Sequence, residues 1–523
     1  MELKNINQID KAAKANRYEL FRFGTALFFI VCIMLYIELQ PPVEGSKIML
    51  VIAAMIGGYM ALNIGANDVA NNVGPAVGSQ AMTLGGAIII AAIFESSGAL
   101  IAGGDVVSTI KKGIIDPAQV TDTDTFIWLM MAALLSAAVW LNLATAFGAP
   151  VSTTHSIVGG VLGAGIAAGG IGIANWGKMG AIAASWVISP VLGGLIAAAF
   201  LYLIKRSITY KPDMLAAAKK VVPLLLAIMA WSFSTYLILK GLKKIWKFDF
   251  VSAGSISIVI AIALYLLLRP VIAKAAANLP NDKESINSLF TIPLIFAAAL
   301  LSFAHGANDV ANAVGPLAAI NEAIVAGGVA SKAQIPLWVM IVGAVGISLG
   351  LALYGPKLIR TVGSEITELN KMRAFSIAMA ASITVIIASQ LGLPVSSTHI
   401  AVGGVFGVGF LREYLKTRYG GILEEIKHHH DDDDPEAVEE FLIEFKSASL
   451  EKKSELLDKL KTDSVRAHLT KRERKALSKI YKQELVRRSH LWKIAAAWVI
   501  TVPASGIMAA MVFYMLRGLL LPQ

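Results

Sequence analysis

Charged residues and cysteines are both scarce in this chain of 523 residues. Charged residues make up 16% of it, hydrophobic residues 56%, and the mean hydropathy is +0.66. A typical soluble domain contains about 25% charged residues, so this composition indicates a membrane protein. The single cysteine, Cys32, excludes an intrachain disulfide. Five Lys or Arg residues precede the first apolar run and no small-residue cleavage site follows it, so we expect no cleavable signal peptide.

Apolar stretches of membrane length recur from one end of the chain to the other. They are 23–39, 49–63, 85–101, 126–147, 181–204, 221–239, 251–268, 337–354, 374–389 and 494–515. A membrane helix needs about 20 apolar residues, so several of these stretches are short or interrupted by glycine. Broken helices at membrane depth explain such stretches when their backbone is buried in protein. We therefore predict an all-α polytopic membrane bundle of about 12 transmembrane helices, with broken or re-entrant helices.

Two polar motifs occur twice, in the same order. Residues 65–79 read GANDVANNVGPAVGS and residues 306–320 read GANDVANAVGPLAAI, at an offset of 241 residues. Residues 150–163 read PVSTTHSIVGGVLG and residues 394–407 read PVSSTHIAVGGVFG, at an offset of 244. Because the spacing between the motifs is also preserved, we infer a duplicated unit. Duplicated polar motifs inside apolar sequence are typical of transporters that bind substrate between internal repeats.

The duplication and the charge distribution divide the chain into six predicted regions. They are an N-terminal segment with the first membrane helix (1–45), transmembrane repeat 1 (46–204), linker helices (205–287), transmembrane repeat 2 (288–411), a soluble helical cytoplasmic insertion (412–492) and the last helix of repeat 2 (493–523). The insertion holds 18 of the 46 Lys and Arg residues and 17 of the 36 Asp and Glu residues. Its HHHDDDD run at 428–434 could bind metal. These residues do not have the spacing of a known metal-ligand motif, which favours a solvated acidic loop.

The links that follow the PVSxTH motifs indicate the orientation of the repeats. The sequence around Trp186 (SWVISP) resembles that around Trp498 (AWVITVP), at an offset of 312 residues. In the first copy the link before this helix is short, glycine-rich and uncharged, whereas in the second copy it contains the charged insertion. The uncharged link suits the external side and the charged link suits the cytoplasm. Links on opposite sides predict repeats of opposite membrane orientation. With a cytoplasmic N-terminus, residues 205–220 also lie in the cytoplasm, and the net charge of +10 reflects such basic loops facing anionic lipid.

Two aspartates, Asp68 and Asp309, occupy matching positions of the GANDVAN motifs. The amides beside them are Asn67, Asn71, Asn308 and Asn312. A carboxylate inside a membrane is energetically unfavourable and usually has a cation or proton partner and a function. Asn and Asp are also preferred N-caps, so these residues could simply cap broken helices. Capping alone would not require a matched pair in each half, and we therefore predict cation ligands.

The PVSxTH motifs have the pattern of helix starts. Pro150 and Pro394 suit entry into a helix, and the hydroxyl residues that follow them are good caps. Those residues are Ser152, Thr153, Thr154, Ser396, Ser397 and Thr398. Free N–H groups and hydroxyls at two such helix ends would form a cradle for a tetrahedral oxyanion. The alternative is that these are capped helices packed through their glycines, but the near-identical repetition favours binding.

Lysine and arginine are absent from all four motifs. An anion site beside two aspartates therefore needs bound cations or protons, so the residue types predict cation-coupled anion uptake. His155 and His399 could carry protons, because histidine titrates near neutrality. They could equally donate hydrogen bonds that order the helix ends.

GANDVANxxGP and PVSxTHxxVGG, each present twice, resemble the signatures of the inorganic phosphate transporter (PiT) family. The resemblance covers nearly all of the chain except 412–492. It implies inverted repeats, a homodimer and phosphate symport with Na⁺ or H⁺, with Asp68 and Asp309 as essential motif aspartates. Glu95, in the FES stretch, resembles a functionally important glutamate, and Thr109 and Thr361 resemble a repeated pair near the site. Ala378 departs from the glutamate that many relatives carry, which leaves the coupling stoichiometry open.

We therefore predict a multi-pass protein of a prokaryotic inner membrane that imports phosphate with Na⁺ by alternating access, with no cofactor and no nucleic-acid partner. Asp68, Asp309, Asn71, Asn312 and Glu95 would hold Na⁺. The hydroxyls of the PVSxTH motifs would hold phosphate, with the further residues Asn67, Asn308, Thr109 and Thr361. The alternatives are H⁺-coupled uptake of phosphate or of a metal–phosphate complex, and a sulfate permease.

An intramembrane hydrolase would use Ser152 or Ser396 as its nucleophile. The chain has no G-x-S-x-G elbow around these serines. Duplication of a whole catalytic triad also has no use in an enzyme, whereas duplication suits alternating access. The sequence therefore does not favour an enzyme.

Overall fold

The computed structural model describes residues 2–41, 46–120, 122–147, 151–241, 246, 248–325, 335–365, 369–417 and 488–520. The α-helices are α1 (Glu2–Glu38), α2 (Lys47–Asn67), α3 (Val69–Gly78), α4 (Leu84–Ala102), α5 (Gly104–Lys112), α6 (Thr123–Ala146), α7 (Thr153–Gly169), α8 (Trp176–Ile204), α9 (Met214–Gly241), α10 (Phe250–Ala275), α11 (Lys283–Leu289), α12 (Thr291–Val325), α13 (Leu337–Glu365), α14 (Lys371–Gln390), α15 (Ser397–Thr417) and α16 (Arg488–Leu520). In these ranges, β-structure is limited to one isolated bridge, Ile115 with Ala174.

Eleven segments of the described ranges are long and apolar enough to cross a membrane. α2 and α3 together form one of them, and the two helices that follow the PVSxTH motifs, α7 and α15, are not among them. The predicted polytopic helical bundle is thus confirmed, with eleven candidate spans where the sequence predicts about 12. The chain is accordingly a multi-pass membrane protein.

By its internal contacts the chain divides into two compact units. Residues 1–408 with 489–523 form the first, and residues 409–488 form the second. The structure describes only 409–417 and 488 of the second unit. Most of the predicted insertion, including its His–Asp run at 428–434, lies outside the described residues.

Both PVSxTH motifs start helices, as their sequence predicts. Ser152 Oγ accepts a hydrogen bond from the His155 N–H at 3.1 Å, and Ser396 Oγ accepts one from the His399 N–H at 3.2 Å. In this N-cap geometry a side-chain oxygen satisfies one of the free N–H groups of the first turn. α7 and α15 therefore begin one residue after their capping serines.

The two repeats exchange helices through close glycine contacts. Gly163 of α7 lies against the backbone of Gly506 in α16, and Gly407 of α15 lies against the backbone of Gly194 in α8. A Cβ at Gly163 or Gly407 would overlap that backbone. Small residues allow this close approach, which stabilises helix pairs where lipid provides no hydrophobic driving force. The last helix of each repeat therefore packs on the PVSxTH helix of the other.

A second exchange involves the helices that carry the GANDVAN motifs. Gly306 of α12 lies against the backbone of Glu95 in α4, and Gly65 of α2 lies against the backbone of Ile347 in α13. Gly65 and Gly306 are the first residues of the two motifs. Each motif helix is thus positioned by a helix of the opposite repeat.

Ser96 and Ser348 mark the point at which α4 and α13 cross. Their hydroxyl oxygens lie 2.7 Å apart, although the two residues are separated by 252 positions in the chain. Ser96 Oγ also lies 3.3 Å from the Ala344 carbonyl, and Ser348 Oγ lies 3.0 Å from the Ala92 carbonyl. Both pairs follow the same offset of 252, so the contact is symmetric between the repeats. The same offset makes Ile347 the counterpart of Glu95.

We expect Gly306→Ala to lower the free energy of unfolding by about 1–3 kcal/mol, the usual effect of overpacking. The new methyl group would meet the Glu95 backbone, which has no flexible atoms to move aside. Gly85→Ala is the matched control, because no atom lies within 4 Å of a Cβ built there. Thermal unfolding in detergent should show a lower midpoint for Gly306→Ala only, and equal midpoints would contradict the packing assigned to α12.

Candidate functional site

The two motif aspartates lie together in the interior of the bundle. Asp68 is 2% exposed and Asp309 is 0% exposed. Each offers an oxygen, and His305 offers a nitrogen, such that the three ligand atoms lie within 4.8 Å of one another. The helix of repeat 1 is interrupted at Asp68, between α2 and α3, whereas α12 continues through Asp309. Asp68 nevertheless keeps helical backbone angles, with φ of −87° and ψ of −35°, so the interruption is slight.

Hydroxyls from both PVSxTH motifs donate to Asp68. Thr153 Oγ1 donates to Asp68 Oδ2 at 2.5 Å, and Thr398 Oγ1 donates to Asp68 Oδ1 at 3.2 Å. Thr153 is the first residue of α7 in repeat 1, and Thr398 is the second residue of α15 in repeat 2. The carboxylate is thus held by one residue from each repeat.

Asp309 has the mirror arrangement. Ser397 Oγ donates to Asp309 Oδ2 at 2.9 Å, and Thr154 Oγ1 lies 3.1 Å from Asp309 Oδ1 and 3.0 Å from the Val395 carbonyl. Ser397 is the repeat counterpart of Thr153, and Thr154 is the counterpart of Thr398. The structure therefore brings both aspartates and four of the six predicted hydroxyl residues into one cluster, which we call the aspartate cluster.

Asn71 and Asn312 join the aspartate cluster symmetrically. Asn71 Nδ2 donates to Thr398 Oγ1 at 2.9 Å, and Asn312 Nδ2 donates to Thr154 Oγ1 at 3.2 Å. Asn312 Nδ2 also lies 3.0 Å from Asp309 Oδ1, while its own Oδ1 is buried without a hydrogen-bond partner in the described chain. That amide oxygen is a free hard ligand beside a carboxylate.

Asn67 and Asn308 lie at the edge of the aspartate cluster and hold neighbouring segments in place by hydrogen bonds. Asn308 Nδ2 donates to Ser389 Oγ at 2.9 Å and to the Leu393 carbonyl at 3.2 Å, so it holds the segment before α15. In the orientation that satisfies both of its polar atoms, Asn67 accepts from Thr145 Oγ1 at 2.8 Å and has its nitrogen 3.3 Å from Asp68 Oδ1.

Glu95 contacts the aspartate cluster through His305, a residue that no motif identifies. Glu95 Oε2 lies 2.6 Å from His305 Nδ1, and His305 Nε2 lies 2.8 Å from Asp309 Oδ2. Asn72 Nδ2 donates to the other Glu95 oxygen at 2.7 Å. Glu95 is fully buried, and its hydrogen-bond partners in the described chain are His305 and Asn72, so it contacts Asp309 only through His305.

The Glu95–His305 arm is present in one half of the site only. At the related positions of the other half the chain has Ile347 in place of Glu95 and Ile64 in place of His305. The residue directly before the motif is Ile64 in the first copy and His305 in the second, whereas GANDVAN itself is unchanged. Comparison of these two positions would have identified His305. The site is therefore symmetric in its hydroxyls and aspartates but asymmetric in its charge.

His155 and His399 contact each other and two tryptophans in a row of four rings, and neither has a hydrogen bond to a carboxylate in the described chain. Their ring centroids are 4.4 Å apart, and each also contacts a tryptophan: His155 is 3.8 Å from Trp186, and His399 is 3.6 Å from Trp498. Both rings are buried, and none of their nitrogens has a hydrogen-bond partner in the described chain. The histidines thus join the two PVSxTH helices to the two helices that the repeats exchange.

Ser152, Ser396 and Thr109 do not contact the aspartates. Ser152 and Ser396 cap α7 and α15. Thr109 Oγ1 donates to the Gly392 carbonyl at 2.7 Å and so contacts the segment before α15, not an aspartate. The side chain of Thr361 lies outside the described residues.

The aspartate cluster has the ligand chemistry of a cation site and lies beside two helix N-termini. Carboxylate, hydroxyl and amide oxygens are hard ligands of the kind that suit hard cations. No lysine or arginine in the described ranges pairs with Asp68, Asp309 or Glu95, so these carboxylates rely on protons or ions for charge balance. The N-termini of α7 and α15 add N–H groups and hydroxyls, which favour an oxyanion.

Comparison with known proteins agrees with this chemistry. Residues 64–509 match the phosphate transporter family. A Helicobacter pylori protein named "Putative phosphate permease" is 52% identical over 523 residues, which cover 98% of each chain. A Thermococcus kodakarensis protein, also named a "Putative phosphate permease", is 39% identical over 370 residues, which cover 69% of this chain and 89% of its own.

A solved structure named "The sodium-dependent phosphate transporter" is also similar. It is 31% identical, has a TM-score of 0.74, and the similarity covers 90% of this chain and 100% of that one. The predicted resemblance is confirmed, and the phosphate transporter family, a family of transporters and not of enzymes, is the one to which this chain belongs.

Proposed function

We propose that this transporter imports inorganic phosphate by Na⁺-coupled symport, with both substrates bound at the aspartate cluster. The observation that carries the proposal is the sharing of hydroxyls: each aspartate accepts hydrogen bonds from both PVSxTH motifs. Motion of one repeat relative to the other would break this sharing. The occupancy of the site and the conformation of the protein are therefore linked, as symport requires.

Charge balance explains why cations should bind first. Two aspartates and a phosphate anion repel one another, and burial in a protein increases that repulsion. While the Thr153, Thr154, Ser397 and Thr398 hydroxyls donate to carboxylates, they are not available to an anion. Na⁺ bound at Asp68 and at Asp309 with Asn312 would replace those donors and release the hydroxyls toward phosphate. Phosphate affinity should therefore rise with Na⁺ concentration.

The exchange of helices between repeats favours alternating access by a rocking motion. Each PVSxTH helix is packed against the last helix of the other repeat, so each of these helix pairs would move as one unit. Transporters with inverted repeats commonly work by rigid-body movement of one bundle around a fixed site. The homodimer that the family resemblance implies is also part of this proposal.

His305 favours a second candidate, uptake of phosphate with H⁺ or as a complex with a divalent transition metal. Its Nε2 lies beside Asp68 and Asp309 in the group of three ligand atoms. Imidazole nitrogen suits transition metals, whereas Na⁺ is a hard cation that prefers oxygen. In this alternative the three side chains would bind the metal that enters with phosphate, and the buried pair His155 and His399 would be available to protons.

Uptake of ³²P-phosphate into proteoliposomes distinguishes the two candidates. Na⁺ and pH gradients are imposed separately, and a third series adds Mn²⁺ without either gradient. We expect uphill, saturable uptake that follows the Na⁺ gradient at fixed pH. Uptake that follows only the pH gradient or requires Mn²⁺ would support the second candidate. Accumulation of sulfate with none of phosphate would contradict both.

A further inference from the structure

Polar contacts hold α5 at one end of the bundle, away from the aspartate cluster. Lys240, in the last turn of α9, and Glu322, near the end of α12, both pair with residues of α5. Residues 205–220, which include the beginning of α9, are predicted to lie in the cytoplasm. α9 then crosses the membrane once, so its last turn and the contacts of α5 are at the external end.

The first contact is a buried ion pair at the end of α5. Lys111 Nζ pairs with Glu322 Oε2, and the two side chains are 7% and 3% exposed. Lys112 Nζ lies 3.8 Å from the other carboxylate oxygen of Glu322. Separation of such a pair leaves a buried charge without its partner, which is strongly unfavourable unless water or an ion replaces it. The end of α5 is therefore held firmly against α12 while this region is dry.

Two further contacts tie the beginning and middle of α5 to the segment before α15. Asp105 pairs with Lys240, whose Nζ also lies 3.5 Å from the Gln390 carbonyl. Thr109 Oγ1 donates to the Gly392 carbonyl at 2.7 Å. Gly392 has a φ of +66°, a conformation that glycine adopts without strain, and it turns the chain into the PVSSTH motif. α5 thus connects the scaffold helix α9 to the residues that carry the site hydroxyls.

The positions that the repeat relates to Lys111 and Glu322 are uncharged. The offset of 252 residues that relates α4 to α13 makes Gly363 the counterpart of Lys111. The offset of 241 residues between the GANDVAN motifs makes Ala81 the counterpart of Glu322. The related residues therefore cannot form the same ion pair at the opposite end of the bundle.

We propose that α5 is the external gate of this transporter and that the Lys111–Glu322 and Asp105–Lys240 pairs hold it closed. This inference rests on the alternating-access symport proposed above. Opening must separate both ion pairs and release the Gly392 carbonyl from Thr109, which frees the segment that positions Ser397. Because the related positions lack the pairs, the two gates differ in strength, and the protein without substrates rests with its external end closed.

Cysteine accessibility tests the gate directly, since Cys32→Ser leaves a chain without cysteine. In that background Val107→Cys places a thiol on the buried face of α5, where Val107 is 0% exposed. A membrane-impermeant maleimide is applied to intact cells and, separately, to inside-out vesicles. We expect Glu322→Gln to raise the labelling rate from outside about tenfold or more, since an open state populated at about 0.1–10% can increase by that factor.

The charge-swapped variant Lys111→Glu with Lys112→Glu and Glu322→Lys reverses all three charges of this contact, so it restores the attraction and should return labelling to the rate of the parent. Thr109→Val, which removes only the donor to Gly392, should also accelerate labelling and replaces Glu322→Gln if that variant folds poorly. Glu19→Gln is the matched control, because it breaks the Arg22 pair on α1, far along the chain from α5, and should leave the rate unchanged.

Several outcomes would overturn the gate. In the first, folded Glu322→Gln and Thr109→Val proteins are labelled no faster than the parent. In the second, the charge-swapped protein is labelled as fast as Glu322→Gln. In the third, labelling accelerates only when the maleimide is applied from the inside. The assay requires no transport. Absence of Na⁺-driven phosphate uptake would therefore refute the proposed function without affecting the labelling result, and normal uptake with unchanged labelling would refute the gate alone.

Discussion

Asp68→Asn is expected to reduce Na⁺-driven phosphate uptake by a factor of about 100 or more. The substitution keeps the size of the side chain but removes the charge to which Thr153 and Thr398 donate. In the proposed cycle a bound Na⁺ would then be buried without its counter-charge, which costs about 3–5 kcal/mol, and about 1.4 kcal/mol corresponds to a factor of ten. Initial rates in proteoliposomes at equal protein density measure the effect. Asp309→Asn should give a loss of similar size.

Asp249→Asn is the matched control for these substitutions. Asp249 is the N-cap of α10, and the hydroxyl and N–H of Ser252 hold the pKa of its carboxyl below the ordinary value. Asparagine caps a helix about as well as aspartate, so uptake should stay within about a factor of two of the unmodified protein. Uptake by Asp68→Asn at half the unmodified rate or more would contradict a cation-binding role for Asp68.

Glu95→Ala is expected to lower the free energy of unfolding by about 1–3 kcal/mol, because it leaves His305 Nδ1 and Asn72 Nδ2 buried without a hydrogen-bond partner. The double variant Glu95→Ile with His305→Ile should recover most of this loss. It installs the residues that the other repeat has at the same positions, and apolar replacement of a whole buried pair is often neutral or stabilising. Thermal unfolding in detergent compares the single and double variants.

Uptake separates a structural role of the Glu95–His305 arm from a functional one. If the arm balances charge at Asp309 during transport, the double variant folds well but remains defective in uptake, with an altered dependence on Na⁺ concentration. Normal uptake by a stable double variant would show that the arm serves folding only. A double variant as unstable as Glu95→Ala would contradict the correspondence of Glu95 with Ile347.

Much of the aspartate cluster could be predicted from repetition alone. The matched aspartates, the six hydroxyl residues and the helix starts after Pro150 and Pro394 are all visible in the sequence, because caps and motif spacing are local properties. Four of those hydroxyls do contact the aspartates. The partner of the hydroxyls was not predictable: the motifs predict that they bind phosphate, whereas in this structure they donate to the carboxylates.

His305 and Thr109 show where local reasoning ends. The importance of His305 depends on Glu95, which lies 210 residues away in the chain and reaches it only because Gly306 lets α12 approach α4. Thr109 resembles a family position near the site, and the structure adds that it donates to the Gly392 carbonyl, because α5 runs beside the segment before α15. Both outcomes depend on which helices touch, and no motif records that.

The sequence by itself determined that this is a membrane protein with two related halves, and that each half contributes an acidic motif and a hydroxyl motif. Composition and repetition are properties of the chain and need no structure. Only the tertiary structure decided that each half is completed by the other and that a buried Glu95–His305 arm makes them unequal. The physical reason is that helix pairing inside a bilayer depends on close backbone approach at glycines far apart in the chain, and on the pairing of buried charges once those helices meet.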